Sequence, residues 1–174
     1  MKRLLVKAPA ASAAPKGIIL CLVPPEDVAH QLALSGGLPE EELHVTLAYL
    51  GKTDSVALDQ VKEAARPLRE YLKGLSALKG EFSGVGRFTI PKKDAFFLTL
   101  DVPGLNVVRE TCCNVLKMCG LPPDNTHGFT PHMTLKYVEA SEPVPVQRLT
   151  PVPVEFTHME LWYGSTHLRV PIGR

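Results

Sequence analysis

The order in which two kinds of apolar pattern follow each other limits the fold of this chain more than any other feature. Apolar spacing of three and four residues marks helices, whereas alternation marks strands. The strand-like stretches cover residues 17–23, 43–50, 78–90, 95–102, 132–138 and a final pair around 152–160 and 162–170. The third and fourth are joined by a very short connection, which only an antiparallel pair allows. The pattern therefore predicts an α+β fold rather than a doubly wound parallel sheet.

Three stretches have the helical spacing. The first follows Pro25 and ends near Gly36, and the third runs from about residue 105 to 119. The second begins after Ser55 and contains Pro67, which we expect to kink or divide it because proline lacks the N–H of a helical hydrogen bond. Each helix has one apolar stripe, so each is expected to cover a sheet.

Length and charge limit the classes of protein that this chain can belong to. The 174 residues suit one domain, and 19 Lys plus Arg against 18 Asp plus Glu leave a formal net charge of +1. Such a charge is too small for a protein that holds long nucleic acid through counterion release, so any nucleic-acid ligand should be short. No apolar run approaches the roughly 20 residues of a membrane-spanning helix, and no secretory signal is recognisable. We expect a cytoplasmic monomer.

A short motif occurs twice in the strand-like runs, as His44-Val-Thr46-Leu and His132-Met-Thr134-Leu. Because successive side chains on a strand point to opposite faces, the histidine and threonine of each motif share a face. The motifs are half a chain apart, which is the spacing expected of a bilobal protein with one copy in each lobe. Two histidines would then flank one cleft.

Paired histidines suit the cleavage of a phosphodiester. The reaction needs a base that takes a proton from the attacking hydroxyl and an acid that protonates the departing oxygen, and imidazole performs either task near neutral pH. A threonine hydroxyl beside each imidazole could donate a hydrogen bond to a phosphate oxygen as negative charge grows. This chemistry requires no metal ion.

The runs 43–51 and 128–137 resemble the paired His-x-Thr signatures of the 2H phosphoesterase superfamily, which includes the 2′-5′ RNA ligase-like proteins of bacteria and archaea. The resemblance extends to the Gly-Val-Gly-Arg-Phe run at 84–88. It implies a single bilobal domain over residues 1–174, with pseudo-twofold symmetry, two antiparallel sheets around a central cleft and helices outside. It also implies that the catalytic residues are His44, Thr46, His132 and Thr134.

Two basic side chains are candidate substrate contacts. By simple alternation Lys136 shares the face of His132 and Thr134, so we expect it to contact the substrate phosphate. Directly after the second motif, members of the superfamily often have a small residue followed by a basic one, whereas this chain has Lys136 followed by a tyrosine. The cation that binds phosphate is therefore expected to be displaced by one position in this chain. Arg87 belongs to a basic cluster with Lys92 and Lys93, which is either a solvated hairpin tip or a phosphate contact at the cleft mouth.

Two aromatic residues are also candidate contacts. Phe88 and Trp162 could stack on a base, although aromatic residues in strands more often belong to the core. His127 is close to His132 in sequence, but no carboxylate lies at a ligand-like spacing between them. We therefore predict no metal site and no cofactor.

These observations predict a metal-independent 2H phosphoesterase that cleaves a short or cyclic RNA-type oligonucleotide with a 2′-5′, 3′-5′ or 2′,3′-cyclic linkage. His44 and His132 are predicted to be its acid and base, and the sequence leaves open which of them has which role. The resemblance leaves three alternatives. They are a phage or viral type of enzyme that degrades cyclic oligonucleotide or 2′-5′ oligoadenylate immune signals, a 2′-5′ RNA ligase-like activity, and a non-catalytic module that binds RNA ends or a nucleotide.

Overall fold

The computed structural model describes residues 15–90, 93–126 and 128–173. The strands in this part of the chain are β1 (Gly17–Leu22), β2 (Val45–Lys52), β3 (Leu78–Phe88), β4 (Asp94–Asp101), β5 (His132–Val138), β6 (Val152–Phe156), β7 (His158–Tyr163) and β8 (Thr166–Pro171). The helices are α1 (Glu26–Leu32), α2 (Leu58–Leu72) and α3 (Leu105–Met118), and a 3-10 turn covers Glu40–Glu42.

The strands form one curled sheet in the order β6-β3-β4-β5-β2-β1-β7-β8, and every neighbouring pair is antiparallel. The predicted α+β class is therefore confirmed. The two sheets expected from the resemblance are the halves β6-β3-β4-β5 and β2-β1-β7-β8 of this sheet. They are joined where Val45 of β2 pairs with Met133 of β5.

The connection between β6 and β7 explains why the sheet is curled. In a flat sheet these strands would lie close to 30 Å apart, since neighbouring strands are spaced by about 4.8 Å. Only Thr157 separates them along the chain, and one residue spans at most about 3.6 Å. The sheet must therefore bend until its two halves approach each other, which creates the cleft between them.

The structure corrects two details of the predicted elements. The final pair of strands is three strands, because the chain leaves one half of the sheet at Thr157 and enters the other. Pro67 does not divide α2, which runs unbroken through it. Pro67 and Glu63 are both exposed, so water can bond the Glu63 carbonyl that proline leaves without a helical partner.

A core lies between the helices and one face of the sheet. Its largest fully buried side chains include Phe82, Phe96 and Phe156. Cys112 of α3 belongs to the same core, where burial raises the pKa of its thiol to about 12, as expected for a packing cysteine. The other face of the sheet lines the cleft. Within the described residues no helix is long and apolar enough to cross a membrane.

Candidate active site

The two His-x-Thr motifs meet at the centre of the sheet. Val45 pairs with Met133 in antiparallel register, so one step along each strand sets His44 beside Thr134 and Thr46 beside His132. Val45 and Met133 are fully buried on the helical side, whereas the four motif side chains are half-buried on the cleft side. Each histidine is therefore next to the threonine of the other motif.

Both histidines are fixed by the same backbone contact. Nδ1 of His44 lies 2.6 Å from the carbonyl oxygen of Glu42, and Nδ1 of His132 lies 2.6 Å from that of Thr130. A carbonyl only accepts, so each Nδ1 carries a proton and donates it. The proton that each ring gains or loses is consequently on Nε2, at the other end of the ring.

A β-bulge follows each motif and changes which side chains reach the cleft. Thr46 pairs with Cys21 of β1, and after the bulge Tyr49 pairs with Ile19. Simple alternation would put residue 48 on the cleft face, but the extra residue of the bulge puts Tyr49 there instead. The second motif repeats this arrangement, because Tyr137 follows Thr134 at the same offset. Sequence reasoning missed these tyrosines, although the extended repeat His-x-Thr-Leu-x-Tyr is a visible signal.

The same bulge removes Lys136 from the cleft, contrary to the face that alternation predicts. Thr134 pairs with Phe97, but Lys136 pairs with Phe96, whose ring is buried on the helical side. The Lys136 ammonium lies beside Gly36, in the loop that follows α1. Lys136 is therefore not placed to contact a phosphate held by the motifs.

Arg87 is also directed away from the cleft. It pairs across β3 and β4 with buried Phe96, and its Nε donates to the Asp94 carboxylate at 2.5 Å. Its two Nη groups donate to the carbonyls of Glu142 and Glu139 at 2.7 Å. The guanidinium therefore fastens the β3–β4 hairpin to the chain after β5 and does not lie free at a solvated hairpin tip, while a phosphate contact of Arg87 stays a prediction. Lys92 lies outside the described residues.

Phenylalanines surround His132. Phe88 stacks on Phe97 with ring centroids 4.2 Å apart, and the two rings meet His132 edge-on at 4.9 and 5.1 Å. Phe88 is thus in the cleft, and part of its ring is exposed. Phe97, which sequence reasoning did not select, packs against the same imidazole.

A different group surrounds His44. Trp162 lies 4.5 Å from the His44 ring and is stacked on His167 at 4.1 Å with an angle of 3° between the rings. The Trp162 Nε1–H donates to the Glu160 carboxylate at 2.6 Å. Trp162 is in the cleft as selected, and one face of its indole is covered by His167, so stacking on a base could use only the other face.

Two pockets flank the motifs. Pocket A, of about 390 Å³, is lined by Thr46, Tyr49, Arg109, Phe129 and His132. Pocket B, of about 660 Å³, is lined by Leu38, Glu41, His44, Tyr137, Trp162 and His167. Each pocket thus combines the histidine of one motif with the tyrosine that follows the other motif.

Arg109 of α3 lines pocket A together with the acidic side chain of Asp124. Its Nε donates to the Leu47 carbonyl at 2.7 Å, its Nη2 donates to Asn125 at 3.3 Å, and its guanidinium lies 4.3 Å from the centre of the Phe129 ring. Sequence reasoning missed Arg109, because nothing in the helical pattern marks it as part of a site on the sheet.

Comparison with protein families decides the classification. The family model described as the 2′-5′ RNA ligase superfamily matches residues 26–167. The chain belongs to this superfamily. The resemblance to the 2H phosphoesterases is thereby confirmed, and phosphoesterase activity is the general property of such proteins. A comparison with the sequences of curated proteins gives no significant match.

Several solved structures have the same fold as this protein, although their sequences are only distantly similar to it. A crystal structure from Thermus thermophilus has a TM-score of 0.62 at 19% identity, covering 88% of this chain and 94% of its own. Escherichia coli LigT complexed with 3′-AMP has a TM-score of 0.61 at 20% identity, covering 92% and 97%. Kluyveromyces marxianus Usb1 has a TM-score of 0.58 at 11% identity, covering 91% and 99%.

The environment of His44 favours its neutral form. Burial lowers the pKa of His44 from its ordinary value of 6.5. The hydrogen bond to Glu42 and the Glu42 carboxylate oppose this effect, whereas the neighbouring rings of His132 and His167 add to it. A neutral His44 with its proton on Nδ1 has a free lone pair on Nε2.

No group of three or more His, Cys, Asp or Glu side chains within the described residues is arranged to hold a metal ion. His127, considered above as a partner of His132, lies outside those residues. The absence of a cofactor stays a prediction from the sequence.

Proposed function

We propose that this protein is a phosphodiesterase that cleaves a short or cyclic RNA-type oligonucleotide by acid–base catalysis between His44 and His132. One observation carries the proposal: two identically anchored imidazoles lie at the start of the two central strands, His44 directly before β2 and His132 as the first residue of β5, each beside the threonine of the other motif. Mere binding of a nucleotide would not need two matched proton carriers.

The two histidines have different tasks in this reaction. Neutral His44 takes the proton of the attacking hydroxyl, from water or a ribose, on its Nε2 as the new P–O bond forms. Protonated His132 gives the proton on its Nε2 to the oxygen that leaves as the old P–O bond breaks. Thr46 and Thr134 donate to the non-bridging oxygens, where charge accumulates. No step needs a metal ion, since imidazoles supply both proton transfers.

The pockets support a small nucleotide substrate. His132 lines pocket A and His44 lines pocket B, so a phosphate bound by both histidines can extend one substituent toward each pocket. The fold is also that of LigT, which has been crystallised with 3′-AMP, ATP, NADP+ and phosphate. The charge of +1 agrees with a short ligand rather than a long one.

The acidic limb of the pH profile tests the assignment of the base. We expect kcat/KM to be bell-shaped and to fall on the acidic side only below about pH 6.5, the ordinary histidine value. The reason is that the lowered pKa keeps His44 neutral, and able to accept a proton, to a lower pH. Measurement of kcat/KM from pH 4 to 10 checks this, and an acidic limb above the ordinary value would contradict the assignment.

A substrate panel tests the function itself. Purified protein in excess chelator is given linear 3′-5′, linear 2′-5′, cyclic oligonucleotide and 2′,3′-cyclic nucleotide substrates, and the products are separated by chromatography. We expect one class to be cleaved at an undiminished rate in the chelator. Preference for cyclic oligonucleotides or 2′-5′ oligoadenylates would indicate removal of immune signals, and joining of RNA ends would indicate ligation. Tight binding without turnover would contradict the proposal and support the binding module.

A further inference from the structure

One hairpin builds a polar cluster beside His44. Trp162 pairs with His167 across β7 and β8, and Glu160 pairs with Arg169. Because Glu160 and Trp162 are two residues apart on one strand, both face the cleft. Among the described residues, the ring contacts of His132 are with Phe88 and Phe97, whose side chains carry no polar atom.

The Glu160 carboxylate is the centre of this cluster. Only 14% of its side chain is exposed, and its strongest contact is the 2.6 Å hydrogen bond from the Trp162 Nε1–H. His158 Nε2 lies 3.4 Å from it and His167 Nδ1 lies 3.6 Å from it. Arg169 donates to His158 Nδ1 at 3.0 Å, which leaves the His158 proton on the nitrogen that faces Glu160. The indole N–H and the His158 Nε2–H thus both point at this largely buried carboxylate and favour one orientation of it.

The indole of Trp162 connects the oriented carboxylate to the His44 ring. Its position is set on one edge by Glu160 and on one face by His167, and it packs against the His44 ring. The bond from His44 Nδ1 to the Glu42 carbonyl fixes one point of the imidazole but still allows the ring to tilt about that point. A second contact with the ring, such as the tilted packing of Trp162 at 54°, is needed to fix its plane.

We propose that Glu160 and Trp162 are positioning residues for His44, which hold its imidazole so that Nε2 faces the reacting phosphate. Two contacts connect these residues: the carboxylate accepts a hydrogen bond from the indole N–H, and the indole ring packs against the imidazole. This inference rests on the proposed function for its catalytic consequence, but the position of the ring is measurable without any substrate.

Breaking the contact between Glu160 and Trp162 at either end tests the proposal. Glu160→Leu and Trp162→Phe are each expected to lower kcat about ten-fold with KM nearly unchanged, since small misplacement of a catalytic group is costly. The double variant should be about as active as either single one, because both remove the same hydrogen bond. Glu160→Gln keeps an oxygen acceptor for the indole N–H and should retain near wild-type kcat.

Two spectroscopic signals report the positions of the rings directly. Trp162 is the single tryptophan of the chain, so its fluorescence emission should move to longer wavelength in Glu160→Leu. The His44 ring proton resonance, assigned by its loss in His44→Ala, should shift in Glu160→Leu and Trp162→Phe, whereas that of His132 should not. Glu155→Leu is the matched control, because Glu155 is an exposed strand carboxylate on β6, in the other half of the sheet.

Wild-type kcat in both Glu160→Leu and Trp162→Phe, with the fold checked by circular dichroism, would overturn the proposal. An unmoved His44 resonance in both variants would overturn it as well. If the wild-type protein cleaves no member of the substrate panel, the proposed function fails, and the His44 resonance alone then decides whether Glu160 and Trp162 position the ring.

Discussion

Replacing either cleft histidine by alanine is expected to lower kcat by about 10²–10⁴, the usual contribution of one general acid or base. His44→Ala removes the proposed base and His132→Ala the proposed acid, and both side chains are half-buried on the cleft face, where truncation leaves the core intact. Initial rates on the preferred substrate measure the effect. His30→Ala is the control, since His30 is an exposed residue of α1 that pairs with Glu40.

A change of leaving group distinguishes the acid from the base. A nitrophenyl phosphodiester releases an anion that needs no proton, so it removes the need for the acid and not for the base. We expect such a substrate to restore much of the activity of His132→Ala and little of that of His44→Ala. The reverse pattern would exchange the two roles, and full activity of either variant on the natural type of substrate would refute the two-histidine mechanism.

Loss of a threonine hydroxyl is expected to give the second largest effect. Thr46→Val and Thr134→Val each remove one donor to the phosphate oxygens, and in comparable oxyanion sites one donor contributes about 2.7–4 kcal/mol to the barrier. The effect should fall on kcat rather than KM, because charge on these oxygens is greatest in the transition state. Serine at either position keeps the hydroxyl and should restore most of the rate.

The alternative for the threonines is that they serve only the strand. Valine has nearly the same shape and a high strand propensity, so it would then be tolerated. Thr166→Val on β8 measures the effect of the same exchange on an exposed strand position. Wild-type kcat in both Thr46→Val and Thr134→Val would assign these residues to the scaffold.

Much of this site could be predicted because it depends on local pattern. Alternation along a strand places His44 and Thr46 on one face whatever the rest of the fold, and the repeat places His132 and Thr134 in the same way. The spacing of apolar residues likewise predicts the three helices. These properties follow from the backbone geometry of a few neighbouring residues.

Other features depend on contacts between residues that are distant in the chain. The pairing of Val45 with Met133, which sets each histidine beside the other motif's threonine, joins strands separated by half the sequence. The bulges that bring Tyr49 and Tyr137 into the cleft and turn Lys136 away arise from register with the partner strands, so alternation alone gave the wrong face for Lys136.

The sequence by itself thus determined which residues we propose as the carriers of the chemistry, because each motif is a short local pattern at the start of one strand. The tertiary structure decided what surrounds them. Arg87 is used to fasten a hairpin because the end of β5 pairs with β4 beside β3. Trp162 contacts His44, and Glu160 bonds Trp162, because β7 pairs with β1 next to β2. Hydrogen bonds of this kind are selected by three-dimensional proximity, which no local pattern encodes.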